Sequence, residues 1–315
     1  MMEYCKHYYS AKHKDKNTQI SSSSGGAFSA ISDVVLEQGG IVIGGGYSFS
    51  NDSVEYYICR TKAERDLLKG SKYIQCDTSK IYRQLESEIE TQKTTTKAPI
   101  LFTGTPCQIS SVKSYLNMRK VFYDNLYYCD LICHGVPSPG VWKFYINPIK
   151  KRLKFDFITF KDKTLGWNQP LAYVKEKEKK VSLRGFTLLY FGKIIMRPSC
   201  HKCPYTKVER VSDITLGDHW NIRTVDPDFW DKNGVSLVIV NTPKGCRLLS
   251  QAAHKLTICE RTEQECLQPS LIKPADKSPY RDWFWRLFCH NKRLAIIIFD
   301  ALISIDKIIS KLRRV

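Results

Sequence analysis

The chain has 315 residues, enough to bury one large core or two medium ones, and its 43% hydrophobic and 12% aromatic content fits a folded protein rather than a disordered one. A formal charge of +18 suits an anionic cofactor or acidic partner, but the cations are scattered, with only short clusters at Lys175–Lys180 and Lys311–Arg314. No zinc-finger spacing or RNA-binding signature accompanies them, so no nucleic-acid partner is expected.

The polar start, MMEYCKHYYSAKHKDK, lacks the apolar run of a signal peptide, and no stretch has the eighteen apolar residues of a membrane span. A cytoplasmic protein is expected, in a compartment that keeps thiols reduced. Twelve cysteines are then too few for a disulfide scaffold and point to metal binding or thiol chemistry. Cys5, Cys59, Cys76, Cys246, Cys259, Cys266 and Cys289 lack ligand-like neighbours and read as small core hydrophobes.

In chain order, residues 18–26 (TQISSSSGG) form a Ser/Gly loop, and Ala27 to Gln38 carries Phe28, Ile31, Val34 and Val35 at helical spacing. Ser23, Ser24, Gly25 and Gly26 before that helix make an anion cradle, because backbone N–H groups and the helix dipole both favour phosphate. An ordinary serine-capped loop is the competing reading. Ile41-Val42-Ile43 reads as a buried strand followed by a glycine turn, and helices are predicted over 63–68 and 80–91. The polar QKTTTKAP reads as a linker. Ile100-Leu101-Phe102 is a strand entering the turn GTPCQ, with a helix over Ser110–Leu116. A second strand, Asn125 to Ile132, enters CHGVPSP. Further strands are predicted at Phe155–Phe160, Leu171–Val174, Ile214–Leu216 and Ser236–Val240. The pattern gives an α/β protein, α+β in its second half, with mixed sheets and flanking helices. Leu294 to Leu312 is an amphipathic helix ending in basic residues, expected to dock on a membrane surface, a partner or the protein's own core.

Four cysteines sit in turn-like contexts: Cys107 and Cys133 directly after strands, and Cys200 with Cys203 as a CxxC between prolines. Thiolates so placed suit an iron–sulfur cluster, a zinc ion or redox thiols, and spacing alone leaves the three open. Cys129 competes with Cys133, but only Cys133 stands at a strand end beside a glycine. Lys72, Lys163 and Asp218 are the remaining polar candidates.

The strings AKHKD (11–15), SSSGGAFSAI (22–31), GSKYIQ (70–75), LFTGTPCQISSVKSYL (101–116), DLICHGVPSPGVW (130–142), FKDKTLGW (160–167) and RPSCHKCPYTKVERVSDITLGDHWNI (197–222) resemble, in order and spacing, the coenzyme F-420 hydrogenase/dehydrogenase beta-subunit family. The resemblance implies an oxidoreductase with FAD beside a 4Fe–4S cluster. It implies that Cys107, Cys133, Cys200 and Cys203 ligate the cluster. It also implies that the SSSGG loop, Lys72 and the Gly104-Thr105 turn lie near the flavin. Expected regions are an N-terminal 1–92, a catalytic 97–265 and an extension 266–315. Lys161 stands where the family motif has arginine, and no C-x2-C-x2-C-x3-C ferredoxin run is present. The implied partners are a soluble hydride carrier and a separate electron-transfer protein such as a ferredoxin. Alternatives are a reductase acting directly on a sugar or another small substrate, or a non-catalytic accessory subunit.

Overall fold

Ile41-Val42-Ile43 and Ile100-Leu101-Phe102 are apolar at every position, as strands covered on both faces must be, and all six side chains are buried. The computed structural model describes the backbone of residues 6–312 and the side chains of residues 6–299 and 301–303; Cys5 lies outside them. The first elements are β1 (His7–His13), α1 (Lys16–Ser21), α2 (Ala27–Glu37), β2 (Ile41–Ser48), β3 (Ser53–Cys59), α3 (Lys62–Asp66), β4 (Cys76–Asp77) and α4 (Ile81–Thr94). Next come β5 (Ile100–Gly104), α5 (Pro106–Met118), β6 (Leu126–Leu131), α6 (Pro139–Lys150), β7 (Phe157–Asp162), β8 (Leu171–Glu176), β9 (Lys179–Ser182) and α7 (Arg184–Phe191). The remainder is β10 (Ile214–Asp218), α8 (Ile222–Val225), β11 (Ser236–Val240), α9 (Pro243–Ala252), β12 (Leu256–Arg261), α10 (Glu263–Cys266), α11 (Arg281–His290) and α12 (Lys292–Leu312).

The main sheet runs β12-β1-β11-β10-β6-β5-β2-β3-β4. Its centre, β10-β6-β5-β2, is parallel, and antiparallel strands flank it. Strand alternation sends Ile41, Ile43, Ile100 and Phe102 toward α4 and α5, and Val42 and Leu101 toward α2. A second sheet, β7-β8-β9, packs with α6, α7, α11 and α12 around Trp142, Phe186 and Phe284. The mixed α/β architecture is as expected. The residues of 1–92 and 97–265, however, contribute strands to one continuous sheet.

Local details differ from the sequence reading. The glycines 44–46 continue β2 instead of turning, because β3 pairs with them residue for residue. Helix α4 extends into the expected linker as far as Thr94. Helix α5 starts at Pro106, four residues early, with proline in its first turn and the Gln108 side chain accepting from the Thr105 N–H at 3.0 Å. Cys107 therefore sits in a helical first turn.

Of the three placements expected for the terminal helix, its described side chains take the protein's own core. Ala295, Phe299 and Ile303 of α12 are buried in the second core, with Phe299 edge-on to Trp283 and Phe284 at 4.8 and 5.3 Å. The apolar face that membrane docking would need covers the protein's own α7 and α11 over this stretch, so the membrane-surface expectation has no support. Side chains of 304–315 lie outside the described residues. Among the described residues no helix is long and apolar enough to cross a membrane.

Candidate functional site

Parallel strands present the carboxyl ends of β5, β6 and β10 on one side of the sheet, and a crevice there is the usual ligand position in such folds. A cavity of about 760 Å³ opens at this edge. Cys107, Cys133, Cys200 and Cys203 all line it, as do Ser23, Ser24, Gly26, Lys72, Gly104 and Thr105. Residues far apart in the chain, from Ser23 to Cys203, thus converge, which spacing could not establish.

The cysteine loops are brought together by the backbone. The segment after β6 pairs with the one before Cys200 through Arg197 N to Val136 O (2.9 Å), Ser138 N to Ile195 O (3.1 Å) and a Pro137–Met196 bridge. Between them Gly135 has φ +100°, and a β-carbon there would lie 2.9 Å from Met196 Sδ and 3.3 Å from Cys200 Cβ. Glycine is therefore required both for the turn and for the close approach. Tyr190, buried, donates to Gly135 O at 3.0 Å and stacks on Tyr73 at 4.6 Å.

Burial pushes the Cys133 thiol up to about 12; the Gly135 N–H opposes this, and Cys107, Cys200 and Cys203 add to it. Cys203 is likewise raised by burial and by its fellow cysteines. Cys129 is raised well above its ordinary value by burial and then by Asp130 and Asp213. Both competitors line the cavity, and Cys133 is the one raised by the other three thiols. Thr105 Oγ1 lies 3.2 Å from the exposed Cys107 Sγ. Among the described residues no group of three or more His, Cys, Asp or Glu is arranged to hold a metal ion.

The serine–glycine loop is held from several directions. Ser23 Oγ accepts from the Ser71 N–H at 2.7 Å, Ser24 donates to Val235 O, and Gly25 N donates to Ser236 Oγ at 2.9 Å. Gly25 is wedged against strands β1 and β11: its β-carbon would fall 2.3 Å from Ala11 O and 2.5 Å from Ser236 N. Gly26, at φ +93°, is the N-cap of α2, whose first residues line the cavity. Lys163 does not line the cavity. Its amine donates to Gln19 O and Ser24 O at 2.7 and 2.9 Å and to Asn233 O, so it ties the loop from behind. Burial lowers that amine to about 8. Lys72 does line the cavity, with its amine on Leu68 O and Lys69 O at 2.6 and 2.9 Å. Burial pulls it down to about 7 against the upward pull of Cys76 and Cys59.

Sequence reasoning missed part of the lining. Cys76, read as a core residue, faces the cavity, and burial pushes its thiol up to about 12. Tyr56 has a hydroxyl buried without a hydrogen-bond partner among the described residues. Trp220, half exposed, stacks on His134 at 4.9 Å, and Ser270 bonds to the His134 ring at 2.7 Å. Lys161 pairs with Asp218, which also accepts from Trp167 Nε1 at 3.3 Å. His134 and Trp220 adjoin motif residues, which was a usable signal; Tyr56 and Cys76 had none.

Fold and site define an α/β protein with a thiol-lined ligand cavity at the carboxyl edge of its sheet. The chain matches the C-terminal family of the coenzyme F420 hydrogenase/dehydrogenase beta subunit over residues 98–265, more than half its length, and belongs to that family. It is an oxidoreductase of that type. Among solved structures it is similar to a chain of the F420-reducing [NiFe] hydrogenase complex from Methanosarcina barkeri. That match has a TM-score of 0.53 and 17% identity over 80% of this chain and 81% of that one, a likeness of fold. No curated protein matches.

Proposed function

We propose that this chain binds FAD and one 4Fe–4S cluster and passes electrons between a reduced hydride carrier, of the coenzyme F-420 kind or another, and a protein partner. The observation that carries this reading is the convergence of Cys107, Cys133, Cys200 and Cys203 on the cavity that the serine–glycine loop also lines. The donor set fits the cluster. Cys133 and Cys203, desolvated and raised further by neighbouring cysteines, need concentrated positive charge to ionise, which iron supplies. One tetrahedral ion needs sulfurs about 3.8 Å apart at zinc–sulfur bonds of about 2.3 Å. In a cluster each thiolate takes its own iron, so the set is wider.

The loop fits the flavin's pyrophosphate: Ser23, Ser24 and Gly26 precede a helix whose N-terminus faces the cavity. Lys72 and the Gly104-Thr105 turn would border the same molecule. A flavin supplies acceptance of a hydride and release of its electrons one at a time. The chain's contribution is to orient both groups in one cavity and to limit water there. Cys107, the exposed member of the four, marks the side open to an electron-transfer partner such as a ferredoxin. Assembly into a larger complex accords with the similarity to a hydrogenase-complex chain.

The test is anaerobic reconstitution with iron, sulfide and FAD. Cys200→Ser should lose most of its iron while Cys246→Ser keeps it, and boiled wild-type protein should release FAD. Equal iron in the two variants, or background flavin only, would overturn the assignment.

A further inference from the structure

Arg210 lies outside the cysteine pattern, yet its guanidinium joins the segments that carry the cysteines. Nη1 donates to Tyr205 O at 2.9 Å and Lys207 O at 3.3 Å, just beyond Cys203. Nη2 donates to Leu131 O at 3.1 Å, two residues before Cys133, and Nε to Thr215 Oγ1 of β10 at 3.3 Å. Its side chain is 1% exposed, and Asp130, 0% exposed, stands 3.1 Å from Nη2. That contact is an ion pair off the hydrogen-bond line, so Asp130 acts chiefly as a counter-charge.

We propose that Arg210 is a positioning residue for the cysteine set: its fork holds the Cys203 segment against the strand end that leads to Cys133, and the Arg210–Asp130 pair is a fixed dipole with its positive end toward the cluster. The proposal rests on the cluster reading above. The orientation follows from where each charge lies. The Arg210 donors meet carbonyls just beyond Cys203, where Tyr205 lines the cavity, whereas Asp130 is fully buried in β6, in register with Gly104 of β5 and Thr215 of β10 inside the sheet. Reduction adds one negative charge to a cluster, and a nearby buried cation stabilises the reduced form and raises the potential. Lysine would retain the charge but not the planar five-donor fork.

The two roles separate by experiment on the full-length chain reconstituted with iron and sulfide under anaerobic conditions. Arg210→Lys should hold at least twofold less iron than wild type and give a broadened reduced-state electron paramagnetic resonance signal. Asp130→Asn, which removes the counter-charge and leaves the cation, should shift the midpoint potential upward in a redox titration followed by the same signal. Wild-type iron and line shape in Arg210→Lys, or an unmoved or lower potential in Asp130→Asn, would overturn the proposal. Should Arg210→Lys prove insoluble, the Asp130→Asn potential decides alone. A wild-type chain that assembles no cluster would instead sink the proposed function itself.

Discussion

Phe299→Ala tests whether the terminal helix belongs to the core. The Phe299 ring is fully buried and meets Trp283 and Phe284 edge-on at 4.8 and 5.3 Å. Its removal deletes a buried aromatic side chain and leaves a cavity that α7 and α11 can fill only in part. A cost of about 3–5 kcal/mol is expected. Ile297, on the same helix but 58% exposed, serves as the control, and its replacement by alanine should change stability by about 0.5 kcal/mol or less. Urea unfolding followed by circular dichroism, with the slope unchanged, reads both values. A helix reserved for a membrane surface or a partner predicts the reverse: little effect of Phe299→Ala on the isolated chain and weaker liposome binding for Ile297→Ala. A loss below about 1 kcal/mol for Phe299→Ala would refute the packing argument.

Gly25→Ala places a methyl group against the backbone of Ala11 and Ser236, neither of which can rotate away. It should cost about 1–3 kcal/mol in urea unfolding and lower the FAD retained after desalting. Lys72 gives a signed pH dependence. Its amine is held near 7 in the folded chain against about 10.4 unfolded, so between those values the unfolded chain binds the extra proton and stability rises with pH. Wild type should therefore gain up to about 1.4 kcal/mol per pH unit relative to Lys72→Met between pH 7 and 8.5, as urea midpoints at each pH would show. Parallel pH profiles for the two chains would mean that the amine is not desolvated.

Much of the fold and the whole set of four candidate cysteines were legible in the sequence. Strands at 41–43 and 100–102 declared themselves because apolar residues at successive positions are stable only between two layers. Cys107 and Cys133 were legible because each follows a strand directly. The start of α5 at Pro106 was missed although Thr105, Pro106 and Gln108 carry its capping signal. What one dimension does not contain is which segments meet. The amphipathic pattern of 294–312 specified an apolar face but not its cover, since the same face suits a membrane, a partner or α7 and α11. Lys163 and Lys72 looked alike as lysines in motifs, and only the backbone carbonyls around each decide that one braces a loop while the other lines the cavity. Composition, periodicity and short motifs are set by local physics and determined the elements, the chemistry on offer and the family. The meeting of the Cys133 and Cys200 loops, the place of Cys76 and Tyr56 in the cavity, and the Arg210–Asp130 pair were decided by tertiary structure. They depend on strand order and on backbone hydrogen bonds between distant segments, and no residue type encodes these alone.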